Sequence, residues 1–386
     1  MGSSRVRKKY LTFRKKKIKI ESKWELVKLS ELVEILDGQR IPVSQNERQN
    51  WEYPYYGATW IVDFVDKYIF DEQLVLLGED GAKWWANENS AFIVQGKYWV
   101  NNHAHVFRPV RDKIMDKYLV DILNKMDLSE YITGLNVLKL NQANLKQIQI
   151  PLPPLDIQEQ IVREMEKVEK REEQMKNGIE SWKKSIAELF QSNQRVHLKS
   201  FLQDINPSKS AIISWLADDT EVGFLSMPDV SNDGIIINLQ IRQLRDVKSG
   251  FTFFQENDVL LAKITPCMEN GKGALVPKIV NNIWFWSTEF FVLRSDMTKL
   301  QPKILFYFIQ DSMFRMEAEK SMTWASWHRR VSKEFVENYL VPDISPSEQS
   351  RIVWEIEKIE AEIVRLESEL VSIPTQKEAI LKKYLL

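Results

Sequence analysis

The sequence predicts an α+β fold: two duplicated mixed α/β domains, each leading into a long helix with coiled-coil spacing. Three features carry that prediction. They are an internal repeat, a proline-rich junction closing each copy, and a sustained apolar seam after each junction. At 386 residues, with 44% hydrophobic and 28% charged side chains, the chain has the length for two or three domains and the composition to bury their cores.

The repeat comes first. Setting Ile150-Pro151 over Val341-Pro342, an offset of 191, brings Gln158 onto Gln349 and Ile161-Val162 onto Ile352-Val353. The same offset puts Glu164, Glu166, Lys167 and Glu169 on Glu355, Glu357, Lys358 and Glu360, and Lys139-Leu140-Asn141 on Arg330-Val331-Ser332. Upstream the offset falls to 186, where Lys117-Tyr118-Leu119 meets Lys303-Ile304-Leu305 and Val106-Phe107-Arg108 meets Val292-Leu293-Arg294. It falls again to 184, where Val75-Leu76-Leu77 meets Val259-Leu260-Leu261. An offset that drifts slowly is what loop insertions between two copies of one unit produce.

The elements follow in order. Residues 1–23 form a basic arm expected to lack a fold of its own. Residues 24–152 form the first domain, with strands expected at Leu74–Leu77, Phe92–Val94, Trp99–Val100 and Val106–Phe107 and a helix at Asp116–Lys125. Residues 153–195 form a central helix, entered through Pro153-Pro154, whose apolar residues run from Ile157 through Ile161, Met165, Val168, Met175, Ile179, Trp182 and Ile186 to Leu189. Steps of 3, 4 or 7 with charges between them are a coiled-coil seam. Residues 196–342 repeat the domain, with strands at Val259–Leu261 and Phe290–Leu293 and a helix at Pro302–Glu319. Residues 343–386 form the second long helix, with its seam at Ile352, Ile356, Ile359, Ile363, Leu366, Leu370 and Ile373. Pro374 lacks the donor for the Leu370 carbonyl, so a kink or break is expected there. The matched seams favour pairing of the two helices over each packing on its own domain. Asp37-Gly38, Asp80-Gly81, Asp233-Gly234 and Asn270-Gly271 read as turns.

Charge and composition exclude several classes. The first 23 residues crowd ten Lys and Arg side chains against the single acid Glu21, although the whole chain has net charge −1. Such an arm either tracks phosphates or is a plain leader, and Met1-Gly2-Ser3-Ser4 favours the leader. The single cysteine, Cys267, rules out an internal disulfide and a cysteine-based zinc site and fits a reducing cytoplasm. No run of 18 apolar residues and no secretory h-region is present, so no membrane association is expected.

Catalytic motifs are absent. Gly271-Lys272-Gly273 lacks the spacing and hydroxyl of a phosphate loop, and there is no Gly-x-Ser-x-Gly elbow. Neither Pro228-Asp229 nor Pro342-Asp343 is followed by the Glu-x-Lys of a metal-dependent nuclease. There is no Asn-Pro-Pro-Tyr-like segment of an adenine methyltransferase. His103 and His105 share a strand face, but no third metal ligand is evident beside them. Glu79-Asp80 reads as a solvated turn. No catalytic residue, metal ligand or cofactor site is assigned.

At the junctions the sequence resembles the DNA-specificity (S) subunit of type I restriction–modification enzymes. Ile150-Pro151-Leu152-Pro153-Pro154-Leu155 with Gln158 and Ile161-Val162 matches that family's domain-to-helix junction, as does Arg329-Arg330-Val331-Ser332-Lys333-Glu334-Phe335 leading into Val341-Pro342. Tyr53–Gly57, Gly78-Glu79-Asp80-Gly81 and Val100-Asn101-Asn102-His103-Ala104-His105-Val106 resemble a common first recognition domain. The likeness covers about residues 24–386. It departs at Ser345 and Ser347, where a Pro-Pro-Leu run is usual, and at Ser326-Trp327, where a Gly is usual. The resemblance implies two target-recognition domains, two long antiparallel coiled-coil helices acting as a spacer, and a bipartite DNA site. It also implies a chain that is not itself an enzyme, with methyltransferase (modification) and restriction/translocase partners that bring S-adenosylmethionine and ATP.

Base reading needs phosphate anchors for register and separate side chains for base edges. In the first domain the candidates are Lys83, Asn101, Asn102, His103 and His105, with Asn136, Lys139 and Asn141 in the loop before the central helix. The second domain offers Lys263, Thr265, Asn270 and Lys272, with His328, Arg329, Arg330 and Lys333 in the matching loop. Trp84-Trp85, Trp284 and Trp286 are expected in cores rather than against bases. Two alternatives stand beside this reading. One is the specificity subunit of a related two-subunit restriction enzyme. The other is a duplicated coiled-coil scaffold without base readout, for which duplicated loop cations would be unnecessary.

Overall fold

A computed structural model describes residues 21–48, 52–82, 89–134, 138–190, 192, 194–278, 283–325 and 328–386. Most of the basic arm, Lys83, Trp84-Trp85 and Asn136 lie outside the described residues. The chain divides into two compact units whose limits differ from the linear domains expected above. The first unit takes residues from within 12–176 together with 368–386, and the second takes 177–367. Each unit therefore holds part of each long helix.

The first unit contains two four-stranded sheets. One has the strand order Val33–Ile35, Ala104–Pro109, Leu74–Gly78, Ala91–Val94, and all its pairings are antiparallel. Leu74–Gly78 is buried at every position because it is a central strand covered on both faces. The other sheet has the order Ile61–Val65, Tyr53–Tyr56, Lys97–Val100, Phe70–Asp71, with one parallel pairing, Tyr55 to Trp99. Helix Asp116–Lys125 packs Tyr118, Leu119, Ile122 and Leu123 into the core.

The second unit repeats this plan. Its sheets have the orders Leu202–Ile205, Phe290–Ser295, Val259–Ala262, Gly273–Leu275 and Gln240–Gln243, Glu221–Leu225, Trp284–Ser287, Phe251–Phe254. The parallel pairing recurs between Gly223 and Trp284. Val75 pairs with Phe107 in the first copy and Val259 with Leu293 in the second, which are the positions the drifting offset aligns. Trp284 and Trp286 are buried, as a core role requires. The single helix expected over Pro302–Glu319 is two, Pro302–Gln310 and Ser312–Ser321. Asp311 separates them because its side chain accepts from the amides of Met313 and Phe314 and so starts a new helix.

The central helix runs Leu155–Glu188 and the C-terminal helix Pro346–Leu385. Pro346 opens the second at the first helical position, where its missing N–H costs nothing. Pro374 does not break that helix. Proline removes one backbone bond, while buried Ile373, Lys377, Ile380, Leu381 and Leu385 hold the chain on either side of it. Within the first unit the two helices are antiparallel. Glu164 meets Lys383, Glu172 meets Lys377 and Arg171 meets Glu369, at 2.6, 2.9 and 2.7 Å. Within the second unit Gly178 faces Leu366, where an added Cβ would sit 3.3 Å from the leucine methyl. Among the described residues no helix is long and apolar enough to cross a membrane.

Candidate nucleic-acid interface

In both units a short loop precedes the junction to the long helix, and the sheet grips its root in the same way. In the first unit Thr133 and Lys139 exchange backbone hydrogen bonds of 2.9 and 2.7 Å. Lys139 also forms a β-bridge with Asp80, and the Leu140 amide donates to the Glu79 carbonyl at 2.8 Å. In the second unit Thr323 pairs with Arg330, Arg330 bridges to Ile264, and the Val331 amide donates to the Lys263 carbonyl at 2.9 Å. The helix that follows is capped alike. Asn141 accepts from the Asn144 amide at 2.9 Å, and Ser332 accepts from the Phe335 amide at 3.0 Å.

The ion pairs beneath the loops differ. In the first unit Lys139 reaches Glu79 at 2.8 Å. Glu79 also accepts from Arg40 at 2.5 Å, and His103 pairs with Asp80. In the second unit Lys263 stands where Glu79 did, and the acid comes from the next strand turn. Arg330 makes a bidentate pair with Glu289 at 3.0 and 2.9 Å. Those hydrogen bonds hold the Glu289 carboxyl below its ordinary range despite some burial. Burial pushes the Lys263 ammonium downward, opposed by the charge of Glu289.

His105 is fully buried, and both its ring nitrogens face oxygen acceptors 2.6 Å away, Asp37 Oδ2 and the Leu140 carbonyl. The two contacts tie the first loop to the sheet. Burial pushes the Asp37 carboxyl upward, but the hydrogen bond and charge of His105, the Val106 amide and Arg40 outweigh it and hold it below its ordinary range. For Glu79 burial is likewise outweighed, by hydrogen bonds from Lys139 and Arg40. Ligand atoms of Asp37, Glu79 and His105 lie within 4.8 Å of one another, and His103 is not among them. The Nδ1 atom is already bonded to Asp37, and Arg40 and Lys139 already answer the carboxylates. Together these contacts form an ion-pair network.

Two expectations are corrected here. His105 does not face a groove, because both its nitrogens are satisfied inside the domain. Asn101 is also buried, and its side chain accepts from the His103 amide at 2.8 Å. Asn141 lies half-buried and is engaged as a helix cap. Lys272 donates to the Met227 carbonyl at 3.1 Å, and Thr265 donates to Glu269. Lys263 lies 5.4 Å from the Phe291 ring centre. Arg329 donates to the Glu319 carbonyl at 2.7 Å, leaving Arg330 as the clamp of the loop root. Asn102, His103, Asn270, His328 and Lys333 are exposed. Sequence reasoning missed Asp37, Arg40 and Glu289, whose contacts with His105, Glu79 and Arg330 span at least 39 residues. Only the Asp37-Gly38 turn hinted at them.

A family model, the type I restriction modification DNA specificity domain, matches residues 21–181, the first copy with its junction. Over that segment the chain is similar to type I specificity subunits. Over 135 residues it is 37% identical to a putative type I restriction enzyme specificity subunit of Haemophilus influenzae, covering 35% of this chain and 34% of that one. It is 32% identical over 162 residues to the EcoEI specificity subunit of Escherichia coli, covering 42% and 26%. The MjaVIII specificity subunit of Methanocaldococcus jannaschii aligns over 298 residues at 24% identity, covering 75% and 63%. The match thus spans about a third or less of the first two relatives' length. In fold the chain is similar to an S subunit from M. genitalium, with a TM-score of 0.54, 12% identity, and 97% and 99% of the two chains covered. A chain from a type I R-M system studied for complex assembly gives 0.51, at 16% identity with 94% and 97% covered.

Proposed function

We propose that this chain is the non-catalytic DNA-specificity subunit of a type I restriction–modification complex in the cytoplasm. Each unit reads one half of a bipartite duplex site. The observation that carries the proposal is the pair of loops fixed on equivalent frames. A reader needs a rigid root, and here the backbone bridges recur while the ion pairs beneath them differ. Exposed Asn102, His103, Asn270, His328 and Lys333 supply donors for phosphates and base edges, and the clamps Lys139–Glu79 and Arg330–Glu289 keep the loops in place. Modification subunits would supply S-adenosylmethionine chemistry at adenine, and a restriction subunit would supply ATP-driven translocation and cleavage. Reconstitution tests this reading. The chain alone should show no methyl transfer, cleavage or ATP hydrolysis, and with its modification partner it should direct adenine methylation to a single two-part motif. Turnover by the chain alone, or methylation without a motif, would overturn the reading.

A further inference from the structure

The two reading loops share a root and part company one residue beyond it. After Thr133 comes Gly134, at a φ of +103° that suits glycine, and the loop returns at Lys139. After Thr323 comes Trp324, and the chain returns through a two-stranded ribbon, Thr323–Ala325 against His328–Arg330. Trp324 is 76% exposed, the highest value among the exposed large hydrophobic residues described. An indole left in water forfeits the burial that most tryptophans obtain. Its position is also held. Trp324 pairs directly with Arg329, whose backbone carbonyl accepts from the Thr265 amide at 3.2 Å and whose side chain is tied to Glu319. Directly opposed residues of a ribbon share a face, so indole and guanidinium stand together while Arg330 and its Glu289 clamp occupy the other face.

We infer that Trp324 is a specificity-determining contact of the second unit, its indole packing on the 5-methyl group of a thymine in the major groove. This rests on the DNA-specificity reading above. A two-stranded ribbon is of a size the major groove admits, and the thymine methyl is the apolar feature that groove presents for direct reading. The nearby cations Lys320 and Arg329 suit an approach to DNA rather than to an apolar partner protein. The first unit, with Gly134 at the matching place, lacks this contact, so the two half-sites differ in it.

The test uses the complex of the full chain with its modification subunit and duplexes carrying its methylation motif. Each thymine of both half-sites is replaced in turn by deoxyuridine, which removes only the methyl group. At one thymine, in one half-site, the replacement should weaken wild-type binding about tenfold and leave Trp324→Ala unaffected, with Trp324→Phe in between. The melting temperature of Trp324→Ala should match wild type, because the side chain is exposed. If wild type binds its motif and Trp324→Ala binds every duplex identically, or if no thymine shows the coupling, this inference fails while the specificity reading stands. A lowered melting temperature with no coupling would make the indole a packing residue and overturn the inference as well. If wild type prefers no duplex at all, the specificity reading itself fails.

Discussion

Each long helix is fastened at its first turn by one buried glutamine, and the two glutamines make the same bonds. Gln158 accepts from the Met115 amide at 2.9 Å and donates to the carbonyls of Lys113 and Pro153, both at 2.9 Å. Gln349 accepts from the Gln301 amide at 2.9 Å and donates to Lys299 and Ile344 at 2.6 and 2.8 Å. An amide is the one side chain that satisfies both an N–H and two carbonyls at such a corner. Gln158→Leu keeps the volume but strands three buried backbone groups, at a cost of about 3 kcal/mol. Denaturant titration of the intact chain should show that loss, and the same loss for Gln349→Leu; a neutral result at either site would mean that water replaces the amide. The alignment of Gln158 with Gln349 was visible in the sequence, but what they bind was not, because the partners come from a loop about 45 residues away.

The helix pairing is set by one layer that the apolar pattern skips. The seam passes from Val168 to Met175 in a single step of 7, and the position between them is Glu172; on the other helix Lys377 stands between Ile373 and Ile380. Lys377 is buried and contacts Glu172 at 2.9 Å and Glu169 at 3.5 Å. A polar pair inside a seam disfavours slipped registers, since any slip leaves both charges in an apolar layer. Burial pushes the Glu172 carboxyl up, but hydrogen bonds from Lys176 and Lys377 prevail and hold it down at about 2. Its folded value lies below the ordinary 4.5, so its contribution is complete above pH about 4.5 and is lost as pH falls toward about 2. Glu172→Gln should cost about 1–2 kcal/mol at pH 7, allowing for solvent screening, and almost nothing near pH 2. Melting curves across that range measure it, and an equal cost at both ends would assign the loss to packing. Periodicity revealed the seam and its length; it missed the charged layer because a lone Glu in a heptad reads as a solvated position. The split at Asp311 was equally readable as Asp-Ser helix-start chemistry, but a continuous apolar run masked it.

At the scale of the whole molecule, duplication made the fold legible. Two copies of each strand, junction and seam give every element an internal control, which a single-copy domain lacks. The candidate interface was less legible, because burial decides which polar loop residues face outward. His105 and Asn101 have the composition of readers and the environment of braces. On the proposed function each copy reads its own half-site independently, and a domain exchange tests that independence. The chain is expressed with its modification partner, and the host genome's methylation motif is read before and after residues 196–342 are exchanged for the corresponding segment of another specificity subunit. A two-part motif is expected in which one half changes to the donor's sequence and the other half stays as it was. A change in both halves, or in neither, would contradict it.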